Sequence, residues 1–296
     1  MIEVVLLYAL LASTFTVGKY SFNFTAPIFI TAARMSIAGL LLLGYTYLFD
    51  RSRFLIKGFL WPLIIMSITS IFLANSLEFW SLNYLLSYKA CFLYNLAPFF
   101  AILFSYQLLK EKMGKQEWLG LAIGFFGFYL MLAHQGASAN KLFILSWPEV
   151  VMIVATMAMA YGWTYMRKLM LVGYSPLMAN GFTMFFGGLL CFIFSYFLEP
   201  WHPVPIYQIR PFIACLVYLI IISNFIGYMW YAILLKKYTS TFLFFAGFLS
   251  PLFASLYGWF FLDEQLYWQF FFALGFIILG MYVFYQQEMQ NSAKEN

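Results

Sequence analysis

The chain has 296 residues, of which 64% are hydrophobic and 9% charged, with a formal net charge of +5. An ordinary soluble domain carries about 25% charged residues, so a soluble fold is excluded and the chain reads as an integral membrane protein in contact with lipid. No nucleic-acid-binding motif accompanies the positive balance, so no nucleic acid is expected as a partner.

Apolar stretches of about 20 residues, each enough to cross a hydrocarbon core of about 30 Å, occur at residues 3–20, 27–49, 58–77, 84–109, 116–133, 148–167, 175–197, 212–235, 238–262 and 266–286. The expected fold is all-α, with ten transmembrane helices. The first stretch opens MIEVVLL, with an acid where a signal peptide has basic residues, and ends KYSFNF, without small residues for cleavage; it is kept as a helix. In the second, Arg34 lies seven residues from the outer end, about 10 Å of rise. A charge at the bilayer centre costs about 2.5–3.5 kcal/mol or more, so Arg34 either ties the helix to a neighbour or meets a ligand. The third contributes Asn75 and ends near Glu78.

The fourth carries the densest polar pattern. Tyr84, Tyr88, Cys91, Asn95 and Pro98 follow steps of three and four, which places them on one helical stripe, with Lys89 beside it. Mid-span aromatics next to asparagine suit a wet cavity that stacks on a flat or apolar organic group. Lys89 is expected to hold the anionic group of a substrate, with Glu78 compensating it in the empty site; the alternative is a lysine that snorkels to the interface. Pro98 cannot donate an amide hydrogen and frees the Tyr94 carbonyl, and Pro251 in the ninth stretch does the same for Gly247. Both are expected to act as hinges, the alternative being tolerated kinks.

Gly120, Gly124 and Gly127 in the fifth stretch, and Gly275 and Gly280 in the tenth, form small-residue grooves for close packing, within the chain or between two protomers of a homodimer. The sixth offers Tyr161, Trp163 and Tyr165, and the eighth Asn224, Tyr228 and Tyr231. The candidate substrate-binding residues are thus Lys89, Tyr88, Asn95, Asn75, Glu78, Tyr161, Tyr165, Asn224 and Tyr228. Cys91, Cys191 and Cys215 all fall inside apolar stretches and imply no disulfide framework. His134 and His202 are near loops, Asp263 and Glu264 are adjacent and point to different faces, and no HExxH or GxSxG motif exists. An enzyme, a metal and a cofactor are therefore not expected.

With the N-terminus inside, the cytoplasmic segments hold Arg51, Arg53, Lys57, Lys110, Lys112, Lys115, Arg167, Lys168, Lys236, Lys237 and Lys294. The outer loops then hold only Lys19, Lys141 and Arg210. That bias places both termini in the cytoplasm.

The stretch APFFAILFSYQLLKEK at 97–112 returns as SPLFASLYGWFFLDEQ at 250–265. At that offset Pro98, Glu111, Gln116 and Gly127 meet Pro251, Glu264, Gln269 and Gly280, and at a slightly shorter one Lys19, Pro27, Met35 and Gly39 meet Lys168, Pro176, Met184 and Gly188. Five crossings are an odd number, so a second copy enters from the opposite face: the expected organisation is a repeat over 1–137 and an inverted repeat over 138–296, a construction recurrent in secondary transporters.

Ten helices in two such halves, each with a proline in its fourth helix, a glutamate at that helix's end and a Gly-rich fifth helix, resemble the EamA-like branch of the drug/metabolite transporter superfamily. The first helix, LLASTFTVGKY, departs from the Trp-Gly-Ser type of start common there. The resemblance implies a central cavity lined by helices 1, 3, 4, 6, 8 and 9, opened alternately to either side of the bacterial inner (plasma) membrane. The expected function is secondary transport of a small organic metabolite, an amino acid or amino-acid-like solute. S-adenosylmethionine or a nucleotide-like solute is the alternative, and a non-transporting receptor or scaffold the alternative of another class.

Overall fold

The computed structural model describes residues 2–51, 58–82, 84–85, 90, 93–134, 146–262 and 268–295. The helices are α1 (Ile2–Ser21), α2 (Pro27–Phe49), α3 (Leu60–Met66 continuing through Ser67–Leu73 and Ala74–Leu82), α4 (Ala97–Leu109) and α5 (Lys115–His134). They continue with α6 (Trp147–Leu171), α7 (Pro176–Leu198), α8 (Ile209–Tyr218, Leu219–Tyr228 and Met229–Leu234), α9 (Ser240–Ala246 and Leu249–Leu262) and α10 (Trp268–Glu295). Among the described residues six helices are long and apolar enough to cross a membrane, in α2, α3, α7, α8, α9 and α10, and α1 and α4 carry shorter apolar helices. The chain is an all-α integral membrane protein.

A helix end inside a membrane must satisfy its free amides without water. Pro27, Pro148 and Pro176 occupy first turns, where their missing N–H costs nothing. The N-terminus of α2 is met by the Glu199 carboxylate at the end of α7, which accepts from the Ile28 and Phe29 amides at 2.6 and 2.8 Å and from the Ser195 hydroxyl at 2.6 Å. Glu199 is partly buried, which pushes its pKa above the ordinary carboxylate value, and these hydrogen bonds oppose that rise. Nearby, the Thr25 hydroxyl donates to the Pro205 carbonyl at 2.7 Å, binding the α1–α2 loop to the α7–α8 loop.

Two helix pairs pack with almost no space between backbones. An added Cβ on Gly39 would lie 2.2 Å from the Phe185 amide nitrogen, and one on Gly188 2.6 Å from that of Ser36, which locks α2 against α7. On α5 and α10, a Cβ on Gly120 would meet the Gly280 carbonyl oxygen at 2.5 Å, and a Cβ on Gly280 the Gly120 carbonyl oxygen at 2.5 Å. Gly124 and Gly127 press on Phe245 and Phe276, whereas Gly275 meets nothing within 4 Å. The glycine grooves expected to pack within the chain or between protomers thus face one another inside one chain. The remaining helices follow a matched pattern: α6 stands against α3 and α4, as α1 stands against α8 and α9.

The helices expected at 84–109 and 238–262 are not continuous rods. Among the described residues Tyr84 and Leu85 belong to a turn closing α3, and α4 begins at Ala97 after a turn in which the Leu96 amide donates to the Leu93 carbonyl at 3.2 Å. In α9 the helix stops at Ala246 and restarts at Leu249, the Gly247 amide donating to the Phe244 carbonyl at 3.0 Å. Pro98 and Pro251 therefore lie in the first turns of restarted helices and do not bend continuous ones. A proline ring clashes with the carbonyl four residues back, and breaking the helix just before it removes the clash. Also, α3 runs on to Leu82, so Glu78 lies within the helix and not at its end.

Candidate functional site

In α3 and α8 the helical turn widens to a π register at Ser67–Leu73 and Leu219–Tyr228. Such turns hold about one extra residue and recur at functional sites. In α3 the widened turn is followed by Asn75, whose amide nitrogen donates to the Ile71 carbonyl at 2.8 Å and reaches the Ser70 carbonyl at 3.4 Å. That leaves the Asn75 Oδ1 to accept from Arg34 Nη2, at 3.5 Å.

Arg34 is the centre of the group. Its Nη1 donates to the Ser223 hydroxyl at 3.1 Å, and its guanidinium lies within electrostatic reach of Tyr228. Glu78, half-buried one turn beyond Asn75, lies within electrostatic reach of the guanidinium. The site therefore holds one cation from α2, one carboxylate from α3 and the polar atoms of Asn75, Ser223 and Tyr228. Arg34 is half-buried, so its charge is not sealed off in the core.

Aromatic side chains continue the surface. Trp163 on α6 packs on Tyr228 and Tyr231, with centroids 5.2 and 4.5 Å away. Tyr94, ahead of α4, lies within electrostatic reach of Glu78, Tyr228, Tyr8 and Arg34. The Tyr8 hydroxyl donates to the Leu243 carbonyl at the start of α9, and Tyr8 neighbours Tyr231. Residues from α1, α2, α3, α6 and α8, with Tyr94 before α4 and the backbone of α9, thus converge on one region.

Of the residues expected to bind substrate, Asn75, Glu78 and Tyr228 are brought together. Tyr88 and Lys89 lie outside the described residues, as do Cys91, Asp263 and Glu264. Asn95 is buried in the turn before α4. The stripe that was to include Tyr84 is not one helix face, since Tyr84 is exposed and packs at a tilt against Trp80, with centroids 4.8 Å apart. Asn224 does not face the group: it is fully buried, donating toward the sulfurs of Met35 at 3.0 Å and Met184 at 3.7 Å. The cause is the π register. An α spacing of four would align Asn224 with Tyr228, whereas the wider turn aligns Ser223 with Tyr228, five apart, and it is Ser223 that bonds Arg34. Tyr161 and Tyr165 lie apart as well, Tyr161 against Phe104 at 5.2 Å and Tyr165 beneath the Lys168 ammonium at 5.7 Å. Trp163, two residues from each and on the other side of α6, takes the inward place.

Residues that sequence reasoning left out are Ser223, Tyr8 and Tyr94. A serine in an apolar helix carries no signal of its own, and Tyr8 and Tyr94 were marked only by being aromatic within a span. At the far end of α6, Arg167 is a buried cation. Its Nε and Nη2 donate to Glu111 Oε1 at 3.0 and 2.8 Å, and its Nη1 donates to the carbonyls of Leu235, at 2.9 Å, and Tyr238. One side chain thereby ties α6 to the α4–α5 and α8–α9 loops. An apolar crevice of about 420 Å³ between α4 and α5, lined by Phe99, Trp118, Phe125 and Tyr129 among others, is remote in chemistry from either charged group.

Comparison with known proteins agrees with this architecture. Proteins of Chlamydia trachomatis and Chlamydia muridarum, each named S-adenosylmethionine/S-adenosylhomocysteine transporter, are 35% identical to the chain over 283 and 284 residues, spanning 94% of it and 86% and 89% of their own lengths. An uncharacterized transporter of Archaeoglobus fulgidus is 29% identical over 275 residues, or 91% of this chain and 92% of that one. A solved crystal structure superposes with a TM-score of 0.74 at 20% identity, over 95% of this chain and 93% of that chain, and so shares the fold. The EamA-like transporter family matches residues 1–133 and again 146–286, and on that match the chain belongs to this family within the drug/metabolite transporter superfamily.

Proposed function

We propose that the protein is a secondary transporter carrying S-adenosylmethionine or S-adenosylhomocysteine across the plasma membrane by alternating access. The observation that carries this reading is the similarity, over 94% of the chain, to relatives named as transporters of that pair. The chemistry at the centre supports it. A guanidinium suits the α-carboxylate that both solutes possess, and the surface of Trp163, Tyr228, Tyr231 and Tyr94 suits an adenine ring. A plain amino acid would use the Arg34–Glu78 pair and leave the aromatic surface idle, which is why the larger solute is preferred.

In this reading residues 1–137 and 138–296 are inverted repeats, with both termini in the cytoplasm. The glycine-locked pairs α2–α7 and α5–α10 form rigid supports. The interrupted helices α3, α4, α8 and α9 flex beside them, with Pro98 and Pro251 at the breaks. Tyr88 and Lys89 keep their place in the proposal from the sequence, Lys89 as a second holder of the carboxylate.

The test is uptake of labelled S-adenosylmethionine into proteoliposomes containing the purified protein. Saturable uptake, competed by unlabelled S-adenosylhomocysteine and not by the same concentration of methionine, is the expected result. Competition by methionine alone would return the reading to amino acids, binding without uptake would indicate a receptor, and neither binding nor uptake would overturn it.

A further inference from the structure

We infer that the crevice between α4 and α5 binds an anionic phospholipid, with an acyl chain lying in the crevice and the headgroup held by the lysines of the α4–α5 connection. The inference is independent of which solute is carried. The two helices have different supports: α4 packs on α6 and α9, and α5 on α10. Between them Phe99 meets Phe125 edge to face, with centroids 5.4 Å apart, beside a space of about 420 Å³ whose lining is apolar. Since α10 is long and apolar enough to cross a membrane and α5 lies along it through Gly120 and Gly280, the crevice is inside the bilayer. Side chains around an unfilled space lose their packing partners, and the apolar group at hand there is a lipid chain.

Length and charge both fit this occupant. On α5, Lys115, Trp118, Ala122, Phe126 and Tyr129 follow steps of three and four and share one face. From Trp118 to Tyr129 the helix rises about 17 Å, close to one leaflet's half of a hydrocarbon core of about 30 Å. On α4, Phe99, Leu103 and Tyr106 form the matching stripe in the opposite direction, and Lys110 follows at its end. Because Phe99 meets Phe125, Tyr106 and Trp118 stand at the same depth, two turns from that contact, and they are 50% and 48% exposed. Tyrosine and tryptophan at one level, with lysines just beyond, mark the border between hydrocarbon and headgroups. The Lys110 ammonium sits over the Tyr106 ring, 5.7 Å from its centroid. Lys110, Lys112 and Lys115 are all exposed. The two carboxylates of the same segment turn inward instead: Glu111 accepts from Arg167 at 2.8 Å, and buried Glu117 accepts from the Gly114 amide. The outward face of the connection therefore presents cations, which draw anionic headgroups. A second copy of the chain, related by a two-fold axis along the membrane normal, would bring its own lysines to the same depth, a like-charge contact.

The experiment places the full chain in lipid nanodiscs with a small amount of phosphatidylglycerol that carries a photoactivatable diazirine in its acyl chain. Phosphatidylcholine with the same label is the control, and cross-links are mapped by peptide mass spectrometry. In wild type, phosphatidylglycerol should label the crevice residues Phe99, Ala122, Phe126 and Tyr129 about tenfold or more over phosphatidylcholine. Replacing Lys110, Lys112 and Lys115 together by Gln should bring the two lipids to within about threefold of each other at these residues. Ala122→Trp, which fills the crevice and leaves the lysines in place, should remove most of the labelling there by either lipid. Equal labelling by the two lipids in wild type would overturn the inference, as would a preference for phosphatidylglycerol that survives loss of the three lysines. A crevice that neither lipid labels in wild type, as an interface between two copies would leave it, would overturn it as well.

Discussion

The sharpest structural prediction is at the crossing of α5 and α10. A Cβ added to Gly120 would lie 2.5 Å from the Gly280 carbonyl oxygen, 2.8 Å from the Phe284 amide nitrogen and 3.0 Å from the Phe284 Cβ. Ordinary carbon contacts lie at about 3.5–4.0 Å, so Gly120→Ala must push the two helices apart by about 1 Å. In lipid the helices associate through close packing, with little hydrophobic drive between them, so a gap along the seam is not refilled. Overpacking of this kind costs about 1–3 kcal/mol. The natural control is Gly275→Ala on the same α10, where the added methyl meets nothing within 4 Å and only the helix preference for alanine is felt. In detergent, Gly120→Ala should melt about 2–10 °C below Gly275→Ala. Gly280→Ala should do the same, and because one separation of the helices relieves both methyl groups, the double variant should lose less than the two single losses combined. Equal melting temperatures for Gly120→Ala and Gly275→Ala would refute the close crossing. Strict additivity would refute the shared separation.

Three further outcomes are expected. Arg167→Met leaves the Glu111 carboxylate without its partner and should cost about 3–5 kcal/mol, read as a fall in melting temperature that Arg167→Met combined with Glu111→Leu partly reverses; no fall would refute the tie between α6 and the two loops. Arg34→Gln should weaken binding of S-adenosylmethionine and its thioether alike by about ten- to hundredfold, with partial recovery in Arg34→Lys, because a point charge replaces a planar fork; Lys89→Ala, measured on the same solutes, should weaken both if it shares the carboxylate, and intact affinity would remove Lys89 from the site. Pro98→Ala and Pro251→Ala should slow flux more than they weaken binding, since alanine lets the helix close across the break, and unchanged flux in both would reduce these prolines to tolerated positions.

The outline of the fold was legible because its causes are local. A membrane span announces itself by about 20 apolar residues whatever surrounds it, and the glycine series at 120, 124 and 127 and at 280 marked close helix contacts without saying which helices would meet. Pro98 and Pro251 were read as bends in the interior of helices, whereas the chain stops before each and restarts. Whether a chain bends at a proline or stops before it depends on whether the freed carbonyl finds another donor, as that of Gly247 does in the Ser250 amide at 2.9 Å, and that is settled by neighbours the local sequence does not name.

The site was legible in kind and not in register. Asn75, Glu78 and Tyr228 stood out because polar groups in an apolar span need a reason, and Arg34 stood out for the same cause, although its tie to Ser223 depends on α8, six helices further along the chain. What misled the reading was the assumption of 3.6 residues per turn. In a π segment the same stretch of α8 turns Ser223 toward Arg34 and Asn224 toward Met35 and Met184, and no composition rule distinguishes an apolar run that holds one extra residue in a turn from one that does not. The two π segments lie in α3 and α8, where the group around Arg34 draws Asn75 and Ser223. The widened turn is thus the device that brings a buried asparagine and a featureless serine to one guanidinium. In the proposed transport cycle it would give these helices a place to change register, whereas α2 and α7 are locked through Gly39 and Gly188. The cation is therefore carried on the rigid pair and its partners on the helices that can move, so a shift of α3 or α8 would break the contacts of Arg34 with Asn75 or Ser223 before it disturbed the glycine seam.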